Sequence, residues 1–372
     1  MASQTIVKLL QQHQTNSDLN RLSPATTMQD SKDLSADTMR TQLDEQIIAE
    51  ASKALEEGNT HYVDVPGIAP LRESIADYLN QQYKSNYEIS NMLVTAGVQE
   101  SRFLTIQMIS DEFDNQIAVP EVVHPGVLKA IGMRPRTVQK IAVTVSESAL
   151  PSINSIKTIL EAGSRLIYLE SPSRLTGEIY TKDDVKKISN LALEYNASII
   201  WDQGLESWTE MASYVSLVGQ DNMSANVIAI GEAWSGMGLA SWFIGYIAAP
   251  KNLIPAMQSI KQVMSICTST PTQFAALEAS KLFEANHATQ LQQISASKHK
   301  LIELAGQANL EVVDGQAANI LAFRLSGAEK DRILKILASE GYQVTDGSEF
   351  GAPDLIRINV NHTAEHALQA LI

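Results

Sequence analysis

Gly231-Glu232-Ala233-Trp234-Ser235-Gly236-Met237-Gly238-Leu239-Ala240-Ser241-Trp242-Phe243-Ile244-Gly245-Tyr246 is the stretch on which the reading of this chain turns. It is entered from one short apolar run, 226–230, and leaves through another, 244–248, each with the length of a buried strand. Between the two lie hydroxyls and a single carboxylate, Glu232, but neither a lysine nor an arginine.

Working outward, the chain from residue 92 alternates short apolar runs with amphipathic patterns. Strands are expected at 92–96, 116–119, 137–143, 165–170, 198–201, 226–230 and 244–248. Helices are expected at 99–110, 125–131, 151–162, 181–195 and 250–265, the fourth opening on a capping-box pair, Thr181 and Asp184. This spacing predicts an α/β fold with a mostly parallel, mixed sheet flanked by helices. Upstream, a short amphipathic helix is expected at 3–15, a polar irregular stretch at 19–37 and a helix near 38–57. Another helix carries Leu71, Ile75, Tyr78 and Leu79 on one face, with Pro70 in its first turn. A long helical pattern from 271 to about 308 leads into a smaller C-terminal α+β unit. The expected division is an N-terminal arm at 1–40, a large domain at 41–268 and a small domain at 269–372.

Composition narrows the function. The chain has 372 residues, enough for a sizeable core, and 28 basic against 42 acidic residues leave a net charge of −14. It has no basic cluster, which argues against a nucleic-acid surface. No run is long enough for a membrane span and no apolar signal core opens the chain, so a cytoplasmic protein is expected. Cys267 is the single cysteine, which excludes an intrachain disulfide. Beside Val263, Met264 and Ile266 it reads as a buried core residue.

Several ordered segments together resemble the class I/II aminotransferases, the fold-type I enzymes that use pyridoxal phosphate. They are Tyr62, Gly67 and Leu71-Arg72; Thr95 to Glu100; Pro120 to Pro125; Ser171 to Gly177; Trp201-Asp202-Gln203-Gly204; and the opening stretch, whose Gly238-Leu239 and Gly245-Tyr246 fall in register. The resemblance covers about residues 22–372 and implies a two-domain subunit with a cofactor cleft. In the opening stretch it puts the Schiff-base lysine at Ser235, the phosphate-binding arginine at Phe243 and a serine of the phosphate cradle at Glu232. Ser235 cannot form an imine. A carboxylate at Glu232 repels a phosphate dianion, and Phe243 supplies no positive charge.

The resemblance assigns the remaining positions one by one. Asp202 matches the aspartate that pairs with the cofactor's pyridinium nitrogen; the alternative is a brace at a strand end. Gly97, Val98 and Gln99 match the backbone donors to the phosphate. His124 stands where an aromatic stacks on the ring, Arg174 where an asparagine and Leu205 where a tyrosine contacts the ring hydroxyl. Tyr62 matches a tyrosine that reaches the neighbouring subunit's site, or it is a packing aromatic. Arg357 matches the clamp on a substrate α-carboxylate, or it is a salt-bridged strand arginine. Leu22 to Ala25 stand where a glycine lies close to that carboxylate.

Three readings follow. One is an aminotransferase or dehydratase that uses pyridoxal or pyridoxamine phosphate without an internal Schiff base. A second is a repurposed, cofactor-independent enzyme acting on an anionic small molecule. Here Asp202, Glu232, His124 and Ser235 are the catalytic candidates, while Arg357, Arg174 and Tyr62 bind substrate. The third is a non-catalytic pseudoenzyme of a biosynthetic process, either a homodimer or the partner of an intact aminotransferase. No cofactor is expected, pyridoxal or pyridoxamine phosphate being weakened alternatives. No metal, nucleic-acid or membrane partner is expected.

Overall fold

The computed structural model describes residues 32–38, 41–210, 212–220, 223, 225–239 and 242–372, without the side chains of 109–112. The expected helix at 3–15, most of the polar stretch at 19–37 and the segment Leu22 to Ala25 lie outside the described residues.

Seven strands form the large sheet: β1 (Met92–Ala96), β2 (Gln116–Pro120), β3 (Thr137–Ile141), β4 (Leu166–Glu170), β5 (Ser198–Asp202), β6 (Val227–Glu232) and β7 (Ile244–Ala248), in the order β1-β7-β6-β5-β4-β2-β3. From β6 through β3 the neighbours are parallel, and β7 runs antiparallel to both β1 and β6. Apart from the edge strand β3, the strands are buried on both faces, as a sheet with helices on each side requires.

Alternation along the strands divides the two faces. Val94, Ala118, Ile167, Leu169, Ile199, Trp201 and Ala229 point into one core. It is closed by α1 (Glu45–Glu56), α2 (Ala69–Tyr83), α5 (Ile153–Glu161), α6 (Lys182–Glu194) and the first half of α8 (Thr270–Gln307). Leu93, Ile117, Val119, Tyr168, Ile200, Ile228 and Ile247 point into the other. There α3 (Gly97–Glu112), α4 (Pro125–Gly132) and α7 (Ile254–Met264) cover the sheet.

Helix α8 is 38 residues long and serves both domains, since Ala275, Ala279 and Phe283 belong to the large core and Leu291, Ile294 and Leu301 to the small one. The small domain adds β8 (Glu311–Val313), β9 (Ile320–Arg324), β10 (Thr345–Asp346) and β11 (Leu355–Asn359), an antiparallel sheet ordered β10-β11-β9-β8. Helices α9 (Gly327–Ser339) and α10 (Ala364–Gln369) pack on it. Leu34 is fully buried in this small-domain core, so it anchors the segment 32–38. That segment runs as a strap: Leu34 N–H donates to Gln343 O, Gln343 N–H to Lys32 O, and Asn359 N–H to Leu34 O.

One expectation is overturned. Val263 is 89% exposed, Met264 and Ile266 are exposed too, and Cys267 is only partly buried. Helix α7 ends at Met264 and turns its charged residue inward instead: Lys261 is fully buried on Glu100, 2.7 Å away. Ile266, just past the helix end, has φ +60°.

Candidate active site

Parallel strands bring their carboxyl ends to one edge, where open α/β sheets place their ligands. Three acids stand at that edge: Glu170 ends β4, Asp202 ends β5 directly beside it, and Glu232 ends β6. The cleft above them has a volume of about 250 Å3. Its walls include Asp37, Gly97, Val98, Gln99, Arg102, His124, Arg174, Trp208, Glu232, Ser235 and Phe243. Sequence reasoning thus brings together His124, Arg174, Glu232, Ser235 and the Gly97–Gln99 turn, with Asp202 at their floor through Arg102 and Arg174.

Asp202 is fully engaged. Arg102 lies against its Oδ2, at 2.8 Å through Nε and 2.7 Å through Nη2. The Tyr168 hydroxyl donates to the same oxygen at 2.6 Å, and Gly204 N–H donates to Oδ1 at 3.0 Å. Burial alone would raise the Asp202 pKa. The Arg102 and Arg174 guanidiniums, with the Tyr168 and Gly204 hydrogen bonds, hold it well below the usual carboxylate range.

Arg174 enters from the loop after β4 and is only 2% exposed. Its Nη1 donates to Asp37 Oδ2 at 2.7 Å, while Nη2 lies 3.6 Å from Asp202 Oδ1 and 3.7 Å from Glu232 Oε1. This approach depends on Gly204, where a Cβ would stand 1.9 Å from Arg174 Nη2.

Glu232 accepts a hydrogen bond from the Ser235 hydroxyl at 3.3 Å. Burial raises its pKa and Arg174 opposes, leaving it at about 7. Glu170 accepts from His124 N–H at 3.0 Å and is also pushed up to about 7, by burial and by Asp202. His124 caps α4, its Nδ1 accepting from Gly126 N–H at 3.0 Å and lying 3.3 Å from Arg102 Nη1. Those two donors leave the ring proton on Nε2, and burial with Arg102 keeps the imidazole neutral, its pKa well below the usual histidine value. Gly97 has φ +72°, and the Phe243 ring covers it at 3.5 Å from where a Cβ would stand.

Two predicted residues stand apart from this cleft. Tyr62 is 67% exposed. Arg357 lies beyond the strap, in a second cavity of about 290 Å3. Its guanidinium donates to Arg174 O, Ser35 O and, at 2.8 Å, Thr345 Oγ1. Among the described residues the segment that stands against Arg357 and Arg174 is Ser35–Asp37. Gln203 does not line the cleft; it joins Tyr246, 2.8 Å away, in a buried cluster with Glu206. Leu205 packs in the small-domain core.

Arg102, Asp37 and Trp208 are the residues the sequence reading missed. Arg102 had a signal: it is the one charged residue in the span 101–110 of its helix. Asp37 and Trp208 had none, because each reaches the cleft through tertiary contacts only.

The comparisons with known proteins agree with this architecture. A model of the family "Aminotransferase class I and II" matches residues 30–371. The aspartate aminotransferase of Thermotoga maritima is 23% identical over 327 residues, covering 88% of this chain and 86% of that protein. The probable aspartate/prephenate aminotransferase of Aquifex aeolicus is 26% identical over 338 residues, covering 86% and 84%. Among solved structures, a tetra mutant of Thermus thermophilus aspartate aminotransferase superposes with a TM-score of 0.83 at 20% identity, covering 94% of this chain and 98% of that one. The Thermotoga maritima aspartate aminotransferase gives 0.83 at 21%, covering 92% and 91%. On its sequence, and on a fold shared nearly end to end with these enzymes, the chain belongs to the class I and II aminotransferase family.

Proposed function

We propose that this family member works without a Schiff-base cofactor and that its cleft binds a small anion on which the surrounding acids and bases act. The observation that carries this reading is the Arg102–Asp202 pair. The carboxylate that would meet a cofactor's pyridinium nitrogen already has a guanidinium at hydrogen-bond distance. Three further features support it. No lysine lines the cleft among the described residues, and Ser235 stands where the resemblance puts the amine. Phe243 covers the Gly97 turn. Glu232 brings a carboxylate into the same cleft. Pyridoxal phosphate does not fit this residue set.

In this reading Glu232, with its pKa near neutrality, exchanges protons with the bound molecule. Ser235 is held on it, and His124 offers its Nε2–H. Arg174 supplies positive charge for the anion, and Asp202 fixes the two arginines. The exposed Tyr62 and Phe243 suit an assembly face, so a homodimer, or a heterodimer with an intact aminotransferase, belongs to the same proposal. No helix among the described residues is long and apolar enough to cross a membrane.

An ordinary aspartate aminotransferase is the competing reading, and the names of the relatives are what favour it. Titration of the purified protein with pyridoxal phosphate and pyridoxamine phosphate, by absorbance and calorimetry, separates the two. The proposal expects no Schiff-base band and no tight binding of either. Tight binding of pyridoxamine phosphate would revive cofactor chemistry, and a Schiff-base band would end the proposal.

A further inference from the structure

We propose that Arg174 is the anion subsite of the cleft and that Asp37 is its built-in occupant, so that the ligand is a small carboxylate whose carboxyl group displaces the Asp37 side chain. This rests on the cofactor-free use of the cleft proposed above and names its substrate class.

Arg174 is buried yet under-used. Among the described residues only Nη1 of its three guanidinium nitrogens has a hydrogen bond, to Asp37 Oδ2; Nε and Nη2 have none. Unmet N–H donors in the interior cost free energy that an incoming acceptor recovers. A guanidinium presents a fork suited to two carboxylate oxygens, and the tethered Asp37 satisfies one prong. An untethered carboxylate is free to engage both. The cleft holds another unmet donor of the same kind, Trp208 Nε1–H, on a side chain 2% exposed.

The second arginine has less to offer, since among the described residues only its Nε lacks a partner. Arg357 spends Nη1 on Arg174 O and Nη2 on Ser35 O and Thr345 Oγ1, so it holds the strap and the Arg174 loop in place. Recognition of an anion therefore falls to Arg174.

Asp37 is placed to give way. It lines both the 250 Å3 cleft and the 290 Å3 cavity beside Arg357, with His124 as the other residue shared between them. The strap is fastened by main-chain bonds at Leu34, by the Ser35 carbonyl, and by Asn319 and Asn359 donating to the carbonyls of Asp37 and Ala36. None of these involves the Asp37 carboxylate. Its side chain can turn off Arg174 while the strap stays bound, and doing so opens one cavity into the other.

The surrounding charge selects carboxylate over phosphate. With Asp37 displaced, Arg174 still faces Asp202 and Glu232. With Arg102 neutralising Asp202 and Glu232 protonated, one negative charge balances Arg174, whereas a phosphate dianion adds repulsion at short range.

The test is a chemical rescue. Purified wild type, Asp37→Ala and Asp37→Ala/Arg174→Gln are titrated with acetate, with succinate and with inorganic phosphate at matched ionic strength, following Tm. In Asp37→Ala, acetate and succinate are expected to raise Tm saturably, and at least tenfold less carboxylate is needed than in wild type. The double variant is expected to lose the effect. If Asp37→Ala does not fold, the isosteric Asp37→Asn carries the same expectation in calorimetry. No saturable carboxylate effect overturns the proposal, as does an equal effect in the Arg174 variant or with phosphate. A parallel pyridoxal phosphate titration keeps the outcomes apart. A Schiff-base band removes the cofactor-free reading, whereas missing rescue without a band removes only the Asp37 inference.

Discussion

Arg102 and Asp202 form an ion pair beneath the cleft, with Nη2 2.7 Å from Oδ2 and both side chains at most 2% exposed. One residue comes from a helix on one face of the sheet and the other from the end of a central strand.

Removing one member of such a pair leaves an uncompensated buried charge, at a cost of about 3–5 kcal/mol. Arg102→Leu is expected to lose stability on that scale in urea unfolding. Asp202→Asn combined with it is expected to lose much less than the sum of the single changes, a coupling above about 1 kcal/mol. Additive losses would mean that the two groups do not act as a unit.

The same pair bears on the missing amine. Ser235→Lys restores the residue type that the family resemblance calls for, and the new side chain would project into the cleft that Ser235 lines. Arg102 still engages Asp202, and Phe243 still covers Gly97. The single variant, mixed with pyridoxal phosphate, is therefore expected to give no stable Schiff-base band. A strong band would show that the lysine alone had been lacking and that Arg102 and Phe243 are no obstacle.

Much of this architecture was legible beforehand. The seven strands stand within two residues of their expected places; for all but the exposed edge strand β3 this is because a strand buried on both faces writes its length as an apolar run. The acids at the strand ends were legible through the resemblance of Asp202 and Glu232. Arg102 was not. A charged residue in a helix reads as solvated until its partner is known, and that partner lies 100 positions away. Asp37 was hidden for the same reason, its partner Arg174 being 137 positions along the chain. At α7 the rule that apolar residues face inward failed. Lys261 took the inward place through its ion pair with Glu100, and Val263 and Met264 were left outside.

Stability should fall as pH rises from about 6.5 to 7.5. Burial lifts the pKa of Glu170, Glu206 and Glu232 from 4.5 to about 7 each. An acid raised in the folded state holds more protons there than in the unfolded chain between those two values. The stability it contributes is present below 4.5 and lost as pH rises through 7. His124 and His287 are lowered from 6.5 by burial, so they oppose this trend only below that value. Above it the carboxyls dominate until Lys298, lowered by burial from 10.5 to about 8, begins to oppose them near pH 8. Thermal unfolding across this window should show a falling Tm, and Glu206→Gln, remote from the cleft floor, should remove about a third of the slope. A flat profile in wild type would refute the assignment of raised pKa values.

Gly204→Ala tests the position of Arg174 without altering any charge. A methyl group at residue 204 would lie 1.9 Å from Arg174 Nη2 and 3.2 Å from Asp202 Oδ1. Arg174 carries three electrostatic contacts at once, to Asp37, Asp202 and Glu232, and cannot retreat without losing some of them. Overpacking of this kind costs about 1–3 kcal/mol. The variant is expected to fold with that loss in urea unfolding and to bind carboxylates at least tenfold more weakly than wild type in calorimetry. The Glu232 pKa should rise as well, because the guanidinium that lowers it moves away. Wild-type stability and wild-type carboxylate binding together would show that Arg174 does not need the space Gly204 leaves, and that its guanidinium sits elsewhere in solution.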